Sequence, residues 1–139
     1  MRPLFRGLLW VAFTLSAVPL SAELPPYVYD ELKAEAGEHL EITPTKITTN
    51  VTQNDHALTV RIEAVATVKK VLRSASGLGV NQEITLRYQT LVHKEPLVGP
   101  SEPRQIRVGE TYVAYLDQDA ADATYKIAAR GYSFERIDP

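Results

Sequence analysis

From Ala57 to Leu72 the chain reads A-L-T-V-R-I-E-A-V-A-T-V-K-K-V-L. Leu58, Val60, Ile62, Ala64, Ala66 and Val68 alternate with Thr59, Arg61, Glu63, Val65, Thr67 and Lys69. A period of two marks a strand with one face in a core and the other toward water. At Lys69-Lys70 the alternation slips by one residue and Val71 resumes the apolar side. Such a slip predicts a β-bulge, which bends a strand so that it serves two sides of a small closed sheet.

The same reading orders the rest of the chain. Val28, Leu32, Ala36 and Leu40 recur every four residues among acidic and basic neighbours. They predict one amphipathic helix from about Tyr27 to Ala36 or His39 (27–39 at its longest), frayed or ended by Gly37, with Asp30 and Glu31 near its positive end. Its narrow apolar stripe suits a helix laid across an open end of a barrel. Leu40 to Val51 is rich in Thr and Ile and predicts a strand, with Pro44 at an edge or a bend. Gln53-Asn54-Asp55-His56 is a polar turn that returns the chain antiparallel. Leu78, alone among Ser and Gly, is expected to tuck inward.

Ile84, Leu86 and Tyr88 alternate with Thr85, Arg87 and Gln89 in a strand over 83–91. His93 to Pro103 carries Pro96, Gly99, Pro100 and Pro103 and predicts an irregular loop. Thr111 to Leu116 and Ala123 to Ala129 are two further strands around a polar loop, and the tail brings Tyr132, Phe134 and Ile137 back to the body. The fold class expected is all-β with one N-terminal helix. Its economical form is a five-stranded barrel of the oligonucleotide/oligosaccharide-binding (OB) type over about 41–134, because closure removes exposed edges. A two-sheet sandwich is the alternative.

The first 22 residues differ in kind from the remainder. Arg2 and Arg6 precede an apolar run from Gly7 to Val18, and Pro19-Leu20-Ser21-Ala22 offers a small-residue exit. That order predicts a cleaved secretory signal over 1–22, since the apolar run is short of the ~20 residues a membrane span needs. Cleavage would leave one domain, 23–139, of 117 residues, with 13 basic against 17 acidic residues and a net charge of −4. This balance speaks against nucleic acid, which rewards a positive field. Lys69, Lys70, Arg73, Arg87, Tyr88 and Arg104 are the residues from which a basic single-strand groove would have to be built. The chain has no cysteine, which excludes disulfides, thiolate metal sites and a cysteine nucleophile.

The succession V-x-x-V-L-R-S with Gly77, then I-T-L-R-Y, V-G-E-T-Y-V-A-Y-L and Y-K-I-A-A-R-G-Y-S-F resembles the netrin-like OB domain. That module is shared by tissue inhibitors of metalloproteinases, netrin C-terminal domains and complement C-terminal domains. The resemblance covers about 41–134 and points to a cysteine-free, bacterial-type relative. It implies a netrin-like barrel and, as one function, inhibition of an extracellular protease. The N-terminal cysteine through which the metalloproteinase inhibitors chelate zinc has no counterpart here, because the mature start is Glu23 followed by Leu24, Pro25 and Pro26.

Candidate chemistry is sparse. His39, His56 and His93 stand in separate segments, with no metal-ligand spacing between them. Glu38, His39 and Glu41 read as solvated residues at a helix end rather than a metal site. The serines lack a nucleophile-elbow context, and Asp117, Asp119 and Asp122 read as a solvated hairpin lacking the glycine and closing glutamate of a calcium loop. Asn50-Val51-Thr52 is a glycosylation sequon. No catalytic residue, metal or cofactor is expected. The expectation is an exported, periplasmic or secreted, non-enzymatic binding module. Its partner would be an envelope or extracellular protein, with no nucleic acid and no membrane insertion, met chiefly by the His93 to Pro103 loop and by the candidate contact residues Arg61, Arg87, Gln89 and Arg104.

Overall fold

The structure, a computed structural model, describes residues 24–94 and 102–138. The export signal expected at 1–22 and most of the proline-rich loop lie outside those residues. The described chain forms α1 (Pro26–Glu35), β1 (Glu38–Gln53), β2 (Ala57–Ser74), β3 (Glu83–His93), β4 (Tyr112–Gln118), β5 (Tyr125–Ile127) and β6 (Phe134–Arg136). A single 3-10 turn, Arg130–Tyr132, precedes β6. No described helix is long and apolar enough to cross a membrane.

The sheet runs β1-β2-β3-β5-β4, and β4 pairs back onto β1. Five strands therefore close into a barrel, with β3 and β5 parallel and the other neighbours antiparallel. Closure rules out the two-sheet sandwich. β6, which the sequence pattern did not resolve from the tail, extends β4 on the side away from β1.

The β2 pattern holds from Val60 to Val68, whereas Leu58 near the hairpin turn is only half-buried and Ala57, on the other phase, is buried. Val60, Ile62, Ala64, Ala66 and Val68 are buried, and Val71 packs against the core. The register to β1 slips twice near the base, leaving Lys69 and Leu72 as extra residues on β2. The expected bulge is one of these two. Each small core alanine is paired across the sheet with a larger aliphatic residue: Ala64 with Leu86, Ala66 with Ile84, and Ala114 with Leu40. Such alternation of small and large side chains fills a narrow barrel without voids. Leu78 packs on the core from the β2–β3 connection.

Four expectations need correction. The helix stops at Glu35, because Ala36 is already extended (φ −55°, ψ 132°) and Asp117 Oδ1 accepts the Gly37 N–H at 2.8 Å. Leu40 therefore belongs to β1, and the buried helix residue is Tyr29, whose ring lies 4.3 Å from that of Tyr132. Asp30 and Glu31 fall outside the first turn, which Pro26 opens instead. The fifth strand is three residues rather than seven, because Ala123 (φ 59°) and Arg130 (φ 49°) sit in the left-handed region and turn the chain at either end.

Arg73 fixes the end of the helix. Its Nε and Nη2 donate to the carbonyls of Ala36 and Lys33 at 2.9 and 2.8 Å, satisfying groups a helix leaves without internal partners. Lys33 Nζ reaches Glu135 at 2.6 Å, so α1 is tied to both β2 and β6.

Candidate functional site

The barrel engages only the first part of β1. β4 pairs with Glu38 to Ile42, whereas β1 from Lys46 to Gln53 pairs with β2 alone. Past the barrel the sheet is therefore three strands, β1-β2-β3. The Asn54 carboxamide accepts the N–H groups of His56 and Ala57 at 2.9 and 2.7 Å and so sets the register of the β1–β2 hairpin.

That register builds the outer face row by row. Thr48, Glu63 and Arg87 form one row and Asn50, Arg61 and Gln89 the next. These residues line a shallow groove of about 470 Å³ whose floor is the sheet backbone. Three of the four expected contact residues, Arg61, Arg87 and Gln89, thus lie together. Arg104 does not join them. Its backbone carbonyl accepts the Tyr88 hydroxyl at 2.6 Å, and it lines a separate cleft with Glu102, Phe134 and Arg136. Arg73 is likewise absent from the groove, being committed to the helix end.

The two groove arginines differ in state. Arg87 donates to Glu63 Oε2 and Asp122 Oδ2, both at 2.8 Å, bridging β2, β3 and the β4–β5 loop. Asp122 is held in place as well: the Thr124 hydroxyl and backbone N–H donate to it and, with Arg87 nearby, keep its carboxyl below the usual range. These exposed pairs contribute little to stability but fix the geometry of the groove wall. Arg61 is exposed and has no ion-pair partner among the described residues. It is the groove's uncommitted cation, flanked by the amides of Asn50 and Gln89. Thr48 and Asn50 follow from the hairpin register, which the polar turn implies. Asp122 arrives through a loop that no pattern in the sequence connects to β3.

A second polar cluster lies at the closed end of the barrel. Glu38, expected in solvent, is only 1% exposed: Oε1 accepts the Ser76 N–H at 3.0 Å, and Oε2 has no hydrogen-bond partner among the described residues. The cause is the early end of the helix, which puts Glu38 on the inward phase of β1 with Leu40 and Ile42. His39, on the opposite face, stacks on Tyr115 at 4.5 Å. Among the described residues no group of three or more acids and histidines is gathered.

Partial burial, with the nearby positive charge of Arg73, pushes the His39 imidazole below its ordinary pKa; Glu135 and Glu41 oppose and Lys33 adds to the shift. A base whose folded pKa is depressed favours folding when neutral. Its contribution is full above about pH 6.5 and is lost as pH falls toward the lower folded value. Melting temperature should therefore drop on acidification through pH 6.5, and His39→Gln should flatten that part of the curve in calorimetry.

Strand order and closure together define an OB-like barrel with one helix. Compared with family models, with curated proteins and with solved structures, the chain gives no match in any of the three.

Proposed function

We propose that the chain is an exported, non-enzymatic binding module that recognises a protein partner through the β1-β2-β3 groove. The observation carrying the proposal is the contrast between the arginines: Arg87 is locked between two carboxylates, while Arg61 has no ion-pair partner among the described residues. With the Asn50 and Gln89 amides beside it, Arg61 suits an extended polypeptide segment bearing a carboxylate. The secretory pattern of residues 1–22 supports an envelope or extracellular setting. The strand motifs and the barrel support a netrin-like relation.

Hydrogen bonds to charged groups contribute about 1.5–3 kcal/mol, so reversing Arg61 should weaken capture by roughly tenfold or more. The test is affinity capture from an envelope extract by the immobilised mature chain and by Arg61→Glu. A partner recovered by the first and lost with the second, and lost again at high salt, is the expected result. Equal recovery by both proteins would sink the groove as the recognition surface.

A further inference from the structure

β1 carries an open edge. From Lys46 to Gln53 every residue but Ile47 is exposed, and among the described residues only β2 pairs with the segment. The outer edge of K-I-T-T-N-V-T-Q thus presents unpaired backbone donors and acceptors. It has no proline, no bulge beyond Pro44/Lys46 and one lysine, so it lacks most of the devices that keep sheet edges apart. We propose that a second copy of this chain covers it, β1 against β1 antiparallel, giving a two-fold dimer centred on Thr49.

The register follows from face and charge. A two-fold normal to the sheet keeps each side chain on its own face, so its centre must fall on a residue. Centred on Thr49, Ile47 meets the partner's Val51. In the single chain Val51 is 56% exposed although it lies on the core-side phase of β1. On the outer face Asn50 meets the partner's Thr48. The row then runs from Arg61 over Asn50 and the partner's Thr48 to the partner's Glu63, about 14 Å between the end Cα atoms by three strand spacings. Opposite charges thus end the row, while Glu63 remains paired with Arg87 of its own chain. A centre on Asn50 would instead place two copies of Arg61 in one row, and a centre on Thr48 two copies of Glu63. Neither brings Ile47 onto Val51. The seven paired positions add about six to eight backbone hydrogen bonds and join two three-stranded sheets into one of six strands.

The dimer needs no ligand, and Val51 lies outside the groove lining, so its failure is distinguishable from failure of the binding proposal. The natural chain has no cysteine, which makes single-cysteine variants unambiguous. Opposed Cα atoms in an antiparallel pair lie about 4.5–5.5 Å apart, inside the range a disulfide spans. Thr49→Cys should cross-link on mild oxidation. Thr52→Cys, whose copies stand about 20 Å apart in this register, should not.

Sedimentation equilibrium of the mature chain on the order of 100 µM should give twice the chain mass, since a micromolar Kd is saturated there. Val51→Lys should weaken association at least tenfold while keeping the wild-type melting curve extrapolated to low concentration. A monomer at that concentration, an unchanged dimer in Val51→Lys, or equal cross-linking at 49 and 52 would each overturn the proposal.

Discussion

Replacing Phe134 by alanine should cost about 3–5 kcal/mol, the range for emptying a buried aromatic site. Phe134 is 4% exposed, with its ring 5.2 Å from that of Tyr88 and 6.3 Å from that of Tyr112. It belongs to a strand of only three residues, so the side chain holds β6 in place more than β6 holds the side chain. Its loss should release the tail, including the Lys33–Glu135 contact that ties α1 to the barrel. Urea unfolding measures the cost, and hydrogen exchange at Ile137, whose N–H donates to Thr111 at 2.9 Å, reports the release. A loss under about 1 kcal/mol would mean that the barrel closes without the tail.

Tyr88→Phe is the second large effect, despite removing a single oxygen. The hydroxyl donates to the Arg104 carbonyl at 2.6 Å and accepts the Ile106 N–H at 3.2 Å. It thereby pins the segment that returns from the proline-rich loop and covers the core. Both backbone groups would lose their partner, at a cost of about 1–3 kcal/mol. Burial pushes this phenol up to about 12, the Ile106 N–H partly opposing and Tyr112 adding to the shift. An acid whose folded pKa is raised favours folding while protonated. That stability is full below about pH 10, the unfolded value, and is lost as pH rises toward about 12. Tyr88→Phe should start less stable and lack this alkaline decline, a difference that unfolding curves at pH 9 and 11 resolve.

Strand phase was legible because each strand has one wet face. The period of two in β2 and the inward set Ile84, Leu86 and Tyr88 follow from a one-sided core, which punishes any one-residue slip. The Lys69 bulge was legible for the same reason. The helix end was not. Val28, Leu32, Ala36 and Leu40 keep a four-residue period whether or not the last of them is helical, and what decides is Asp117 taking the Gly37 N–H from 80 positions away. The same distant contact phases Glu38 inward, so its burial could not be read locally. Of the groove, the residues on neighbouring strands could be found by pairing the hairpin across its polar turn. The exclusion of Arg104 and the arrival of Asp122 depend on loop paths, where side-chain pattern says nothing about direction.

The route between the open and closed parts of β1 also sets how this chain must fold. The β1–β2 hairpin closes a turn of a few residues, and the distal half of β1 pairs with β2 alone among the described residues. The pairing of β1 with β4, by contrast, joins positions about as far apart as Gly37 and Asp117, separated by 80 residues. Closing a loop of that length costs about 4 kcal/mol of chain entropy, against about 1–2 kcal/mol for the turn. The hairpin should therefore form early and the seam last, with folding in the millisecond-to-second range of non-local β topologies. Mutations at the seam, such as Leu116→Ala, should then act on the unfolding rate, while mutations beside Asn54 act on the folding rate.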